Sequence, residues 1–138
     1  MSLKKLPSYP TCFVCGQRTK IGLHLQFLYD DENEEVVCDI NPRDWWEGYV
    51  GIIHGGIQAA IMDDGMGWAI YPATGDYYLT MELKIRYKRP LKSDDKCKFR
   101  GRITKRLGDY FVTEGELVDE QGKVYAKATG KYKRIPSS

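Results

Sequence analysis

Histidine is scarce in this chain: 138 residues contain only two, His24 and His54. Two imidazoles do not make a histidine-based metal centre. No apolar run approaches the roughly 20 residues that span a bilayer, and the first ten residues lack the apolar core of a signal peptide. Repeats and low-complexity segments are missing as well. A net charge of +2 gives no overall pull toward an acidic partner. No nucleic-acid partner and no membrane association are therefore expected, and the cytoplasm is the default location. Cysteine is limited to Cys12, Cys15, Cys38 and Cys97, which without a secretion signal read as reduced thiols. Cys12-Phe13-Val14-Cys15-Gly16 has zinc-knuckle spacing, but no second CxxC supplies the other two ligands. Two chains pooling their pairs would make a four-sulfur site; the reading adopted is an unmetallated turn, with no metal and no cofactor. No βαβ pattern surrounds the pair to support a thioredoxin-like role.

What is present is ordinary for a globular chain: 42% apolar and 29% charged residues. The length suits one domain, residues 1–138, with residues 1–21 as a Pro-, Gly- and Lys-rich lead-in. Leu23, Leu25, Phe27 and Tyr29 alternate as a strand, and Val36, Cys38 and Ile40 form its return. A single helix is expected from Gly55 to Tyr71, stopped by Pro72. Gly65 and Gly67 would weaken it by about 1 kcal/mol each, so they imply close packing against a sheet or a partner helix. Beyond it the period becomes two. Leu79, Met81, Leu83, Ile85 and Tyr87 alternate with polar residues, and Leu107-Gly108-Asp109 fits a three-residue hairpin loop. The expectation is an α+β domain: five to six antiparallel strands curved around one long helix, the hotdog architecture.

The run from His54 through Gly55-Gly56 to Asp63-Asp64 carries the chemistry. A helix start holds unpaired N–H groups and about half a positive charge, suited to a developing oxyanion. Glycine lets a substrate approach that backbone. Gly56 and Asp63, seven positions apart, share nearly one helix face. Gly55 and Asp63, however, lie about 12 Å apart along the axis, whereas an attacking group must come within about 3 Å of its carbonyl. Two antiparallel copies remove this conflict, each offering its glycine end to the other's aspartate. A twofold homodimer, or a dimer of dimers, is expected.

Gly51-Ile52-Ile53-His54-Gly55-Gly56, then Asp63-Asp64, then the strand from Leu79 to Arg86-Tyr87-Lys88-Arg89-Pro90 resemble the hotdog acyl-CoA thioesterases of the phenylacetate-pathway, PaaI-like group. The Cys-Phe-Val-Cys-Gly turn and Gly22-Leu23-His24-Leu25 are similar to a subgroup of that superfamily. The resemblance implies Asp63 as general base or nucleophile, the Gly55 N–H as polariser of the thioester carbonyl, and Thr80 as the hydroxyl that holds the attacking water. It also implies His54 as the residue that orders the loop and contacts the substrate. An asparagine often stands six places before the histidine in that group; here the position is Gly48.

Other residues read two ways. Gln58 on the first turn faces either ligand or solvent, and Gly56 is a candidate substrate-binding position. Trp45, Trp46 and Tyr49 suit either an acyl-pocket wall or dimer packing. Asp64 points about 100° from Asp63 and is read as structural or as a secondary pocket residue. His24 is read as structural. The stripe Lys84, Arg86, Lys88, Lys96, Lys98, Arg100 and Arg102 pairs with Glu114 and Glu116 across the hairpin, a solvated face. Arg86, Lys88 and Arg89 near the strand end are the candidates for coenzyme A phosphates. The implied function is hydrolysis of an acyl-CoA; the alternative is an acyl-CoA-binding hotdog protein without turnover.

Overall fold

The computed structural model describes residues 3–135. Its strands are β1 (Leu3–Lys5), β2 (Leu28–Asp30), β3 (Glu35–Ile40), β4 (Tyr77–Tyr87), β5 (Cys97–Leu107), β6 (Tyr110–Val118) and β7 (Val124–Ile135). They form one antiparallel sheet in the order β1-β2-β3-β5-β6-β7-β4, leaving β4 as an edge. Helix α1 (Gly55–Trp68) lies on the inner face, followed by the short α2 (Ile70–Thr74). Burial follows from this arrangement. Ile61, Met62, Met66 and Trp68 of α1 meet Phe99, Phe111, Leu117, Ala126, Ala128 and Tyr132 of the sheet.

The expected architecture is present, with seven strands instead of five or six. The additional strand is β1, three residues pairing with β2 and too short to show a period. The strand expected from Leu23 shrinks to Leu28–Asp30. Residues 23–27 pair instead with the turn before them, Leu23 N–H to the Phe13 carbonyl and Leu25 N–H to the Val14 carbonyl. His24 there has φ +52°, incompatible with a regular strand. The helix ends earlier than expected, at Trp68. Pro72 does not stop it but sits within the first turn of α2, where a missing N–H costs nothing.

Two bulges change the register. The β5–β6 loop has two residues, Gly108 and Asp109, since Leu107 pairs with Tyr110. A bulge between Ile103 and Lys105 then restores the expected Arg102–Glu114 and Arg100–Glu116 alignments. Even so, the ion pairs of Arg100 and Arg102 run to Glu35 on β3, at 3.4 and 3.7 Å. In β4 a bulge between Thr80 and Glu82 breaks the alternation read as regular. Leu79 and Met81 consequently stand exposed, while Leu83 and Ile85 pack on the core.

Both expectations for the helical glycines resolve toward the sheet. A Cβ at Gly65 would lie 2.4 Å from the Phe99 ring, and one at Gly67 2.1 Å from the Tyr78 ring.

Asp119 ties the β6–β7 turn to the end of β4. It accepts the N–H groups of Lys123 (2.8 Å) and Gln121 (2.9 Å) and pairs with Arg89 at 2.6 Å. The Lys123 N–H foremost, then Arg89, hold its carboxyl below the usual value of 3.8. Its stabilising effect is complete above that value and fades as pH falls through the lower, folded one. Asp119→Asn should therefore be less stable than the wild type in urea at pH 7, with the gap closing as pH falls below 3.8.

Candidate active site

The start of α1 is built by the loop before it. His54 N–H donates to the Trp46 carbonyl (2.9 Å), and Ile53 N–H to the Leu91 carbonyl (2.8 Å). Gly51, at φ +80°, makes the turn that permits this return. His54 then caps the helix: its Nδ1 accepts the Gly56 N–H at 2.8 Å, which puts the ring proton of a neutral imidazole on Nε2. Its carbonyl takes the N–H groups of Ile57 and Gln58. Gly55 N–H is the one left without a protein acceptor at this end, among the described residues. The Tyr87 hydroxyl donates to the Gly55 carbonyl at 2.7 Å and pins the helix start to β4.

Asp63 sits further along α1, half-buried against the same strand. The Thr80 hydroxyl donates to its Oδ1 at 2.9 Å, and the Tyr132 hydroxyl to the same oxygen at 2.9 Å. Tyr132 also reaches the Asp63 carbonyl at 3.2 Å. Burial, then the Asp63 charge, push the Tyr132 phenol far up, so it remains a donor. Oδ2 of Asp63 has no protein partner among the described residues. The carboxylate is thus braced on one oxygen and open on the other. Thr80 reaches it only because of the β4 bulge.

Ile52, Ile53, Gly55, Gln58, Tyr87 and the 88–90 segment line an open cleft of about 390 Å³. It brings together four of the residues singled out from sequence: Gly55, Gln58, Lys88 and Arg89. Gln58 is buried, and its Nε2 donates to the Ile53 carbonyl at 3.1 Å, leaving Oε1 without a partner. Arg89 is engaged elsewhere, with Asp119 and stacked 3.9 Å from the Tyr125 ring centre. Arg86 is not in the cleft; it pairs with Lys127 in register and lies exposed. His54 and Gly56 are exposed beside the helix start. A Cβ at Gly48 would come 3.3 Å from the His54 ring, so this position flanks the helix start.

The sequence assigns no role to the hydroxyls of Tyr132, Tyr78 and Tyr87. Tyr132 falls on the apolar side of its strand and reads there as core. Only its reach across the sheet reveals the hydroxyl at Asp63. Tyr78 donates to Asp64 Oδ1 at 3.1 Å. Cys12 Sγ lies 3.5 Å from that oxygen, and Cys15 is packed beside them. Burial, more than any neighbouring charge, raises the Asp64 carboxyl and the Cys15 thiol.

An antiparallel sheet wrapped on one helix, with a free N–H at the helix start and a braced carboxylate beyond it, defines a protein of the hotdog class. The model of the thioesterase superfamily matches residues 50–126, and this chain belongs to that superfamily. It is 24% identical over 125 residues to acyl-coenzyme A thioesterase THEM4 of Bos taurus, covering 89% of this chain and 51% of that protein. It is 27% identical over 124 residues to acyl-coenzyme A thioesterase THEM5 of Homo sapiens, covering 88% and 49%. The chain thus spans about half the length of these curated relatives. A hypothetical thioesterase of Streptococcus pneumoniae TIGR4, solved with coenzyme A, superposes with a TM-score of 0.69 at 22% identity, covering 74% of this chain and 79% of that one. The PaaI protein of E. coli, from the phenylacetic acid degradation operon, gives 0.68 at 20% identity, covering 74% and 73%. No helix among the described residues is long and apolar enough to cross a membrane.

Proposed function

We propose that this chain hydrolyses acyl-CoA thioesters at paired sites formed between two copies. The single observation that carries the reading is Asp63, held on Oδ1 by Thr80 and Tyr132 with Oδ2 open. The names of the curated relatives and the coenzyme A bound to the pneumococcal protein support the substrate class. In this reaction the thioester carbonyl sits at the start of α1. The Gly55 N–H and the helix dipole stabilise the oxyanion. Asp63 of the other copy takes a proton through Oδ2 from the water that attacks the carbonyl, or attacks it directly to give an anhydride that water then hydrolyses. In both routes the thiolate of coenzyme A leaves. Thr80 acts by orienting the carboxylate, and Lys88 at the cleft mouth suits a phosphate.

The edge strand supports the pairing. β4 is eleven residues long, its outer backbone edge is unpaired, and Leu79 and Met81 are 55% and 56% exposed on it. Such an edge invites a second strand. Trp45, Tyr49 and Val50 are also exposed while Trp46 is buried, which favours packing between copies over a pocket wall.

Thiol release from short, medium, long and aromatic acyl-CoAs, against a substrate-free blank, tests the proposal. Turnover that sediments with a dimer or larger species supports it. Tyr132→Phe should lower kcat about 10-fold at little change in KM, since it frees the carboxylate without touching substrate. Gly48 favours a second reading, an acyl-CoA-binding protein, because a missing donor costs about 3 kcal/mol at the transition state. Bound acyl-CoA that is never hydrolysed would select that reading.

A further inference from the structure

We propose that Cys12, Cys15 and Asp64 form a zinc site that clips the N-terminal turn to helix α1, within one chain. The three donor atoms lie within 4.8 Å of one another. Cys12 Sγ and Asp64 Oδ1 are 3.5 Å apart. That is close to the donor separation that a tetrahedral zinc imposes, with Zn–S about 2.3 Å and Zn–O about 2.0 Å.

Three features show that the place is built. The turn has knuckle form: Cys15 N–H points at Cys12 Sγ (3.5 Å) and Gly16 N–H at the Cys12 carbonyl (2.8 Å). A Cβ at Gly16 would lie 2.5 Å from that carbonyl oxygen, so glycine is required there. Cys15 and Asp64 are 2% and 9% exposed, placing two donors in a dry interior. Finally, Asp64 Oδ2 is fully buried with no hydrogen-bond partner. A buried carboxylate with one oxygen unmatched is costly, and a cation on Oδ1 would offset the charge that Oδ2 shares.

The charges balance. Binding one divalent ion releases the two thiol protons, so the cluster keeps the single negative charge of the Asp64 carboxylate. Water completes the tetrahedron on the side of Cys12, the one donor residue that is only partly buried. The preference for zinc follows from two thiolates with one carboxylate, a set too soft for magnesium or calcium.

Full-length protein, stripped with chelator under reductant, is titrated with Co2+ and then Zn2+. One cobalt per chain should bind, with a thiolate-to-cobalt charge-transfer band and tetrahedral visible bands, all displaced by zinc. Cys12→Ser should abolish the band while circular dichroism shows the sheet intact. Asp64→Asn should weaken binding at least 10-fold and alter the visible bands. Zinc should raise the Tm of the wild type and leave that of Cys12→Ser unchanged. No charge-transfer band in the wild type overturns the proposal. One metal per two chains, indifferent to Asp64→Asn, overturns it in favour of a four-sulfur site between copies.

Discussion

Asp63→Asn should lower the turnover of acyl-CoA by about 10²-fold or more, with the fold intact and the affinity for substrate little changed. Asparagine keeps the size of the side chain and can still accept the Thr80 and Tyr132 hydroxyls, now 2.9 Å from Oδ1. What it lacks is an oxygen that takes a proton or attacks a carbonyl. A loss confined to kcat identifies Asp63 as acting in the transition state. A rise in KM alone would assign it to substrate binding, and full activity would remove it from the mechanism. If the sites are shared, mixing Asp63→Asn with a second defective variant at the helix start should restore part of the activity. One of the two sites in such a hybrid is assembled from wild-type halves.

Gly65→Ala should destabilise the fold by about 2–3 kcal/mol, or roughly 8–12 °C in Tm. Phe99 is fully buried, and its ring is seated among three glycines: Cβ atoms at Gly65, Gly101 and Gly115 would meet it at 2.4, 2.6 and 2.9 Å. Phe27 packs edge-on to it at 5.9 Å, so the ring has nowhere to retreat. Thermal unfolding of Gly65→Ala, Phe99→Leu and the double variant separates overpacking from helix propensity. Propensity alone would make alanine stabilising by about 1 kcal/mol. A double variant more stable than Gly65→Ala would identify the ring contact as the cause. A Gly65→Ala protein as stable as the wild type would show that the ring can shift.

The hotdog plan was legible because the long elements carry clear periods: two in β5 to β7, and a capped start with two glycines for α1. The proposed pair Gly55 and Asp63 lies on one helix, and their separation of about 12 Å along its axis is what leads us to propose a second copy. Three things were hidden. A bulge adds one residue with no sequence mark, so the regular alternation from Leu79 to Tyr87 misassigned Leu79 and Met81 and left the direction of Thr80 unexplained. Tyr132 reads as an apolar core residue, since a phenol is largely hydrocarbon, and its hydroxyl finds Asp63 from 69 positions away. CxxC spacing points to a second cysteine pair, whereas the group beside Cys12 and Cys15 is a helix carboxylate 52 positions on from Cys12.

The bulge at Met81 has one more effect: it sets the parity of the edge strand. Without it, odd-numbered residues would point inward along the whole of β4, and Met81 would stand opposite Tyr132, where Thr80 now donates to Asp63. With it, the hydroxyl turns in, and two apolar side chains turn out onto the edge where we place the second copy. One inserted residue thus couples the polarity of the carboxylate's surroundings to the stickiness of the dimer edge. Deleting Met81 leaves Thr80 in phase with Tyr132 and removes a single outward side chain. It is the change that lets assembly be weakened while the carboxylate keeps its braces.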